Sequence, residues 1–219
     1  YAESLKLCEA FLAQNKTHPE VTEVLFLKGE NLTLLKQAEA AAPIYEAVIA
    51  ADPKHQRAAL SNLRLAQTYY EKGDWKNCLA KLTPLLVGNV AGAVFDQVWY
   101  MAGACQFRLG DWGKAIAAFE KFIKEKADQP NVDTAMYNLS LAYQYQKVPD
   151  KVKAMATLAE LVTNPKYQKS ERLQDALVEL GRLQYEAKEL VAARATLVRV
   201  AADGPPAAQY YLGWVALGE

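Results

Sequence analysis

Apolar side chains recur along this chain at helical intervals, and the same arrangement returns every 37 residues. Its first stretch already shows the pattern, with Leu5, Cys8, Phe11 and Leu12 on one face of a helix. Tyr1, Ala38, Trp75 and Trp112 are spaced by 37 residues, as are Ser4, Ala41, Cys78 and Ala115, and also Leu5, Ala42, Leu79 and Ile116. Two further columns, Cys8, Tyr45, Leu82, Phe119 and Phe11, Val48, Leu85, Phe122, keep the register. Each period reads as two helices. The pattern predicts opening helices over 22–35, 59–72, 96–109, 133–146, 174–187 and 206–218. Companion helices are predicted over 1–14, 38–51, 75–87, 112–126, 151–163 and 190–202.

The turns support this division. Residues 62–75 align with residues 99–112, and both stretches end in Gly-Asp-Trp. Gly73 and Gly110 stand where a helix stops, as a left-handed residue does, and Asp74 and Asp111 are placed to cap the next helix. Pro84 falls inside a companion helix and is expected to kink or shorten it, whereas Pro43 lies nearer its helix start. The spacing changes later: Ala115 to Ala154 is 39 residues and Gly181 to Gly213 is 32, so the last repeats are expected to tilt differently. One helical hairpin cannot bury its own apolar stripe, but stacked hairpins share a continuous core. Small residues (Gly29, Ala66, Gly103, Ser140) let helices approach, and Tyr45, Trp75, Trp112 and Phe119 fill the spaces between. The fold class expected is all-α.

These positions resemble the tetratricopeptide repeat. Trp99, Gly103, Phe107, Gly110, Asp111, Trp112, Ala115 and Phe119 match its spaced motif in one repeat, and Leu65, Ala66, Tyr69, Gly73, Asp74, Trp75, Cys78 and Leu82 in another. Residues 137–147, 177–190 and 210–214 carry the opening helix of three more. The resemblance implies an α-α superhelix, a single solenoid domain over 1–219. Its repeats would run 22–58, 59–95, 96–132, 133–173 and 174–205, between half-repeats at 1–21 and 206–219. The period of 37 exceeds the family's usual 34. Long aromatic-rich repeats such as residues 110–123 resemble those of bacterial cell-envelope proteins of the outer-membrane assembly and Tol–Pal-associated kind, which implies a periplasmic or outer-membrane-associated protein. The unpaired cysteine count points the other way, to the cytoplasm. Apolar helices at both ends lead us to expect a piece of a longer protein, with self-association through those ends as one mode of use.

Composition narrows the function. Twenty-five basic side chains stand against 25 acidic ones, so the chain lacks the basic footprint of a nucleic-acid binder. No apolar run approaches the ~20 residues of a membrane span. Cys8, Cys78 and Cys105 occupy small or apolar columns with no C-x-x-C, and read as core residues. His18 and His55 lie near Pro19 and Pro53 and read as turn residues. Two histidines and three scattered cysteines do not compose an ordinary zinc site. No G-x-S-x-G, H-E-x-x-H or phosphate loop is present, and Glu120, Glu125, Glu160 and Glu179 read as solvated helix surface. No catalytic, metal-binding or cofactor-binding residue is expected.

In the family that these repeats resemble, opening helices line a concave groove that takes partner peptides. The matching column here is Phe26, Leu63, Tyr100, Tyr137, Val178 and Tyr210. Seven residues on come Thr33, Tyr70, Phe107, Gln144, Tyr185 and Leu217, and between them Glu30, Gln67, Ala104, Leu141, Arg182 and Trp214. Some relatives clamp a C-terminal carboxylate with Lys, Arg and Asn at such positions; here only Asn138 and Arg182 resemble clamp groups. The resemblance therefore implies a non-enzymatic scaffold that holds an extended or helical segment of a partner protein in an aromatic groove. Its residues would be Phe26, Leu63, Tyr70, Tyr100, Phe107, Tyr137, Asn138, Leu141, Arg182, Tyr185, Tyr210 and Trp214. Two alternatives stay open, a self-assembling or complex subunit and an accessory domain of a larger enzyme. Aromatics at helical spacing also fit plain inter-helix core, a reading that loss of folding without a specific binding defect on their substitution would support.

Overall fold

The computed structural model describes residues 1–88, 92, 96–125, 128–200 and 202–218. Among them the regular structure is entirely helical. The order is α1 (Ala2–Gln14), α2 (Val21–Leu34), α3 (Ala38–Ala51), α4 (Gln56–Glu71), α5 (Trp75–Val87), α6 (Val98–Arg108), α7 (Trp112–Glu125), α8 (Val132–Tyr145), α9 (Lys151–Thr163), α10 (Leu173–Glu186), α11 (Leu190–Leu197) and α12 (Ala207–Gly218). A short 3-10 turn, Pro165–Tyr167, follows α9. Residues 126 and 201, where two companion helices were expected to reach, lie outside the described residues.

Helix ends follow the turn chemistry. Gly73 and Gly110 have φ of 72° and 77°, and the amides of Asp74 and Asp111 bond back to the carbonyls of Tyr69 and Gln106 at 2.9 and 3.0 Å. Asp74 then accepts from the Asn77 amide at 3.2 Å, and Asp150 does the same from Lys153 at 3.0 Å. Lys36, one period before Gly73, takes the same left-handed conformation with φ of 59°. The histidines are turn residues: Nδ1 of His18 accepts from the Glu20 amide and Nδ1 of His55 from the Arg57 amide, each at 3.1 Å. Pro84 does not shorten α5, which continues to Val87, because its missing N–H costs one bond in the last turn. Helix α11 is shorter than expected. After Leu197 the amides of Arg199 and Val200 bond only three residues back, and the Arg199 guanidinium donates to the Val162 carbonyl at 2.6 Å.

The chain divides into two compact units, Tyr1–Cys105 and Gln106–Glu219. In the first, α1 packs on α2, α2 on α3, α3 on α4 and α4 on α5, and α2 also meets α4. Its core contains Phe26, Leu32, Ala41, Tyr45, Val48 and Leu65. In the second, α7 to α12 pack in the same sequential way and α10 also meets α12, with Val178, Ala193, Leu197, Ala208 and Val215 as one core cluster. The small-residue columns do what close helix packing requires. A Cβ on Gly29 would lie 2.7 Å from the Tyr45 ring, and one on Gly181 would lie 2.4 Å from Cγ of Leu197. Ala66 and Ser140, in the same column, are fully buried.

Candidate functional site

The candidate surface is the face of the opening helices. In the first unit most of that face is not aromatic. Phe26 and Leu63 are buried, 8% and 1% exposed, so these two belong to the core and not to an open groove. Around Phe26, Tyr45 of α3 lies over Gly29 with its ring 6.0 Å from that of Phe26, and the Arg57 guanidinium of α4 lies over the Phe26 ring at 4.9 Å. Tyr70 is half-buried, edge-on to Trp75 at 5.4 Å, and Tyr100 is half-buried on α6.

What occupies the α2–α4 face is a charged ladder. Nε and Nη2 of Arg64 donate to the two carboxylate oxygens of Glu30, each at 2.8 Å, and Nη1 reaches Gln67 at 3.2 Å. The Tyr45 hydroxyl donates to the same carboxylate at 2.6 Å, and Thr33 lies 2.9 Å from that phenol oxygen. Burial raises the Glu30 carboxyl, but the hydrogen bonds from Arg64 and Tyr45 outweigh it and hold the group below its ordinary range. One rung lower, Nε of Arg57 donates to Glu23 at 2.8 Å. Sequence reasoning passed over both pairs. Their signal is readable in retrospect: Glu23 and Glu30 are seven residues apart on α2, as are Arg57 and Arg64 on α4.

The second unit keeps the aromatic character. Phe107 meets Trp112 edge-on at 5.2 Å, and Trp112 tilts against Tyr145 at 5.4 Å. Trp112 also borders an open cleft with Leu109, Asp111, Gln146 and Lys147, which the column analysis did not anticipate. Tyr137, Asn138 and Leu141 are half-buried along α8. Burial, then the nearby Asp175 and Glu179 carboxylates, pushes the Tyr137 phenol up to about 12. Tyr185 is half-buried 6.4 Å from Tyr211, while Tyr210 and Trp214 are 60% and 42% exposed.

Arg182 is not a poised clamp group. It donates to Glu179 at 2.6 and 3.1 Å, to Gln144 at 2.5 Å and to Glu186, which also accepts from Lys151 at 2.8 Å. Its charge is thus already balanced within the unit. Among the described residues no three His, Cys, Asp or Glu side chains are grouped to hold a metal ion. Nor, among them, is any helix long and apolar enough to cross a membrane.

Comparison with known proteins agrees with this architecture. The sequence family described as anaphase-promoting complex, cyclosome, subunit 3 matches residues 34–122, and the tetratricopeptide-repeat family matches residues 1–56. YrrB, described as a TPR protein with an unusual peptide-binding site, superposes with a TM-score of 0.68 at 15% identity, over 96% of this chain and 97% of its own. The chain has the tetratricopeptide-repeat fold, and its residues 1–56 match that family in sequence. A tetratricopeptide repeat protein from Parabacteroides merdae superposes with a TM-score of 0.61 at 15% identity, over 97% of this chain and 78% of its own. MamA does so with a TM-score of 0.59 at 19% identity, over 87% and 93%. No curated protein matches the chain in sequence. At these identities the structural likeness of this tetratricopeptide-repeat chain to its neighbours is one of fold.

Proposed function

We propose that this tetratricopeptide-repeat chain is a non-enzymatic scaffold that holds an extended or helical segment of a partner protein. The second unit would provide the contact surface through Tyr137, Leu141, Tyr185, Tyr210 and Trp214. The observation that carries the reading is the persistence of partly exposed aromatics on α8, α10 and α12 after the packing positions have been filled. Ala154, Leu158, Ala193 and Leu197 already occupy the seams between these helices and are at most 1% exposed. Tyrosine and tryptophan left half-open beside a filled seam offer large apolar area with a polar tip, the chemistry of interface anchors. YrrB, of the same fold, is a peptide binder by its own description, which supports the reading by analogy.

The test is selection of a random-peptide display library on the immobilised chain, followed by rebinding of the selected peptides to Tyr137→Ala and Tyr185→Ala. Binding should fall at least tenfold while the helical circular dichroism is unchanged. Equal binding by both variants would defeat the proposal. A second reading, a fixed subunit of an assembly, is favoured by α12 alone. Tyr210, Gly213, Trp214 and Leu217 form an apolar stripe along it, and a Cβ on Gly213 would meet no atom of the described residues within 4 Å. Sedimentation at several concentrations separates the two readings, since the peptide-binding reading expects a monomer.

A further inference from the structure

The three cysteines are not equivalent. Cys8 is hydrogen-bonded to Ser4, a neighbour on its own helix. Cys78 of α5 and Cys105 of α6 are hydrogen-bonded to each other, and both are fully buried. The repeat explains why they meet. Cys78 lies two 37-residue periods after Ser4, and Cys105 lies two periods after Asn31. In the first repeat those two positions also touch across a helix pair, Nδ2 of Asn31 donating to Oγ of Ser4 at 2.9 Å. The α1–α2 and α5–α6 pairs thus bring the same two side-chain positions together, and in the second case both carry sulfur.

We propose that Cys78 and Cys105 form a dithiol–disulfide pair, an oxidation site that covalently joins α5 to α6 within the folded first unit. The oxidant is a small-molecule disulfide, RSSR. The Cys105 thiolate attacks one sulfur, giving a Cys105–S–S–R mixed disulfide and releasing RS⁻. Cys78 then loses its proton and attacks the Cys105 sulfur, breaking the mixed disulfide and releasing the second RS⁻. Two cysteine thiols lose two electrons, RSSR becomes two RSH, and the two thiol protons end on those products.

The order of attack follows from the hydrogen bond. A thiolate at Cys105 keeps the bond donated by the Cys78 thiol, which lowers Cys105, whereas that bond and burial raise Cys78. Burial also drives the second step: a mixed disulfide places a bulky group in a seam without space for it, and closing the Cys78–Cys105 bond expels that group. Reagent enters through local opening of the α5–α6 contact, so the reaction is slow but its end point is set by the folded state. The two thiols lie within hydrogen-bond reach of each other, and the disulfide replaces that contact with a bond. An odd cysteine count then resolves into one pair and one single thiol, Cys8. The pairing stands whether or not a peptide binds.

The test equilibrates the folded chain in reduced-to-oxidised glutathione mixtures, then denatures it, alkylates the remaining thiols and measures intact and peptide masses. At the oxidising end, two of the three alkylation sites should be lost, with a Cys78–Cys105 cross-linked peptide and unchanged helical circular dichroism. A Cys8→Ala variant should give the same cross-link with no alkylation left. Three alkylated cysteines at every potential would overturn the proposal. So would a cross-link involving Cys8, a persistent glutathione adduct on Cys78 or Cys105, or a cross-link that forms only with loss of helix signal.

Discussion

Glu30 and Arg64, 34 positions apart, meet fork to fork: two guanidinium nitrogens each lie 2.8 Å from a different carboxylate oxygen. The Tyr45 hydroxyl completes the site by donating to the same carboxylate. Three helices, α2, α3 and α4, are tied at one point by a partly exposed ion pair and the hydroxyl of the core residue Tyr45. Such a bidentate pair, only partly exposed and supported by a third donor, is worth more than a surface ion pair.

Removing one partner should therefore be costly. Arg64→Ala leaves the half-buried Glu30 carboxylate with the Tyr45 hydroxyl as its remaining strong donor, and the expected loss is about 1–3 kcal/mol. Glu23→Gln, on the more exposed rung below, should cost no more than about 1 kcal/mol. Urea unfolding of both variants at neutral pH measures the contrast, and equal losses would refute the distinction drawn between the rungs.

The same carboxylate gives a pH signature. Its folded-state pKa is depressed, so its contribution to stability is fully present above the unfolded carboxylate value of about 4.3. That contribution is lost as pH falls through the lower folded value. The stability difference between the wild type and Glu30→Gln should be constant from about pH 6 to 8 and should shrink toward zero below about pH 4. Urea midpoints at a series of pH values would show it; a difference that grows on acidification has the wrong sign for this mechanism.

A left-handed backbone at Lys36 sets up a third expectation. Lys36 has φ of 59° where Gly73 and Gly110, one and two periods on, have 72° and 77°. A side chain in that conformation costs roughly 1–2 kcal/mol, part of which glycine returns through its greater freedom in the unfolded chain. Lys36→Gly should raise stability by up to about 1 kcal/mol, and Gly73→Ala should lower it by about 1 kcal/mol. Thermal melts of the two variants against wild type decide the matter, and a destabilised Lys36→Gly would show that the lysine makes a compensating contact.

The helices and their register were readable because packing leaves few choices at the seam. A residue beneath Tyr45 or Leu197 has to be small, and a residue that turns the chain after Tyr70 or Phe107 has to accept positive φ, so Gly29, Gly181, Gly73 and Gly110 advertise their places. The candidate surface was less readable. Phe26, Leu63, Tyr137 and Tyr210 share one column, yet the first two are buried and the last is open. Column membership fixes direction along the helix. Exposure depends on what the companion helix lays over that direction: Tyr45 closes it at Gly29, and at Gly213 no side chain of the described residues overlies it. The Glu–Arg ladder was hidden for another reason, because it joins opening helices of successive repeats at positions where the other repeats carry different residues.

Two glycines at one repeat position provide the last prediction. Gly181 and Gly213 are 32 residues apart in α10 and α12. A Cβ on Gly181 would lie 2.4 Å from Cγ of Leu197, which is 1% exposed and wedged among Val178, Ala193 and Ala208, so it has nowhere to go. Gly181→Ala should therefore overpack the seam and cost about 1–3 kcal/mol. Gly213 has an open flank, and there the helix-propensity gain of alanine is unopposed, so Gly213→Ala should stabilise by about 0.5–1 kcal/mol. Thermal melts of the two variants test these opposite signs directly. The sign at Gly213 also reports on α12 itself: if a partner helix seats a large side chain on Gly213, as Leu197 sits on Gly181, the same substitution should weaken that association while stabilising the chain alone. Sedimentation of Gly213→Ala beside its melt would therefore separate a face that packs a helix from one that stays open.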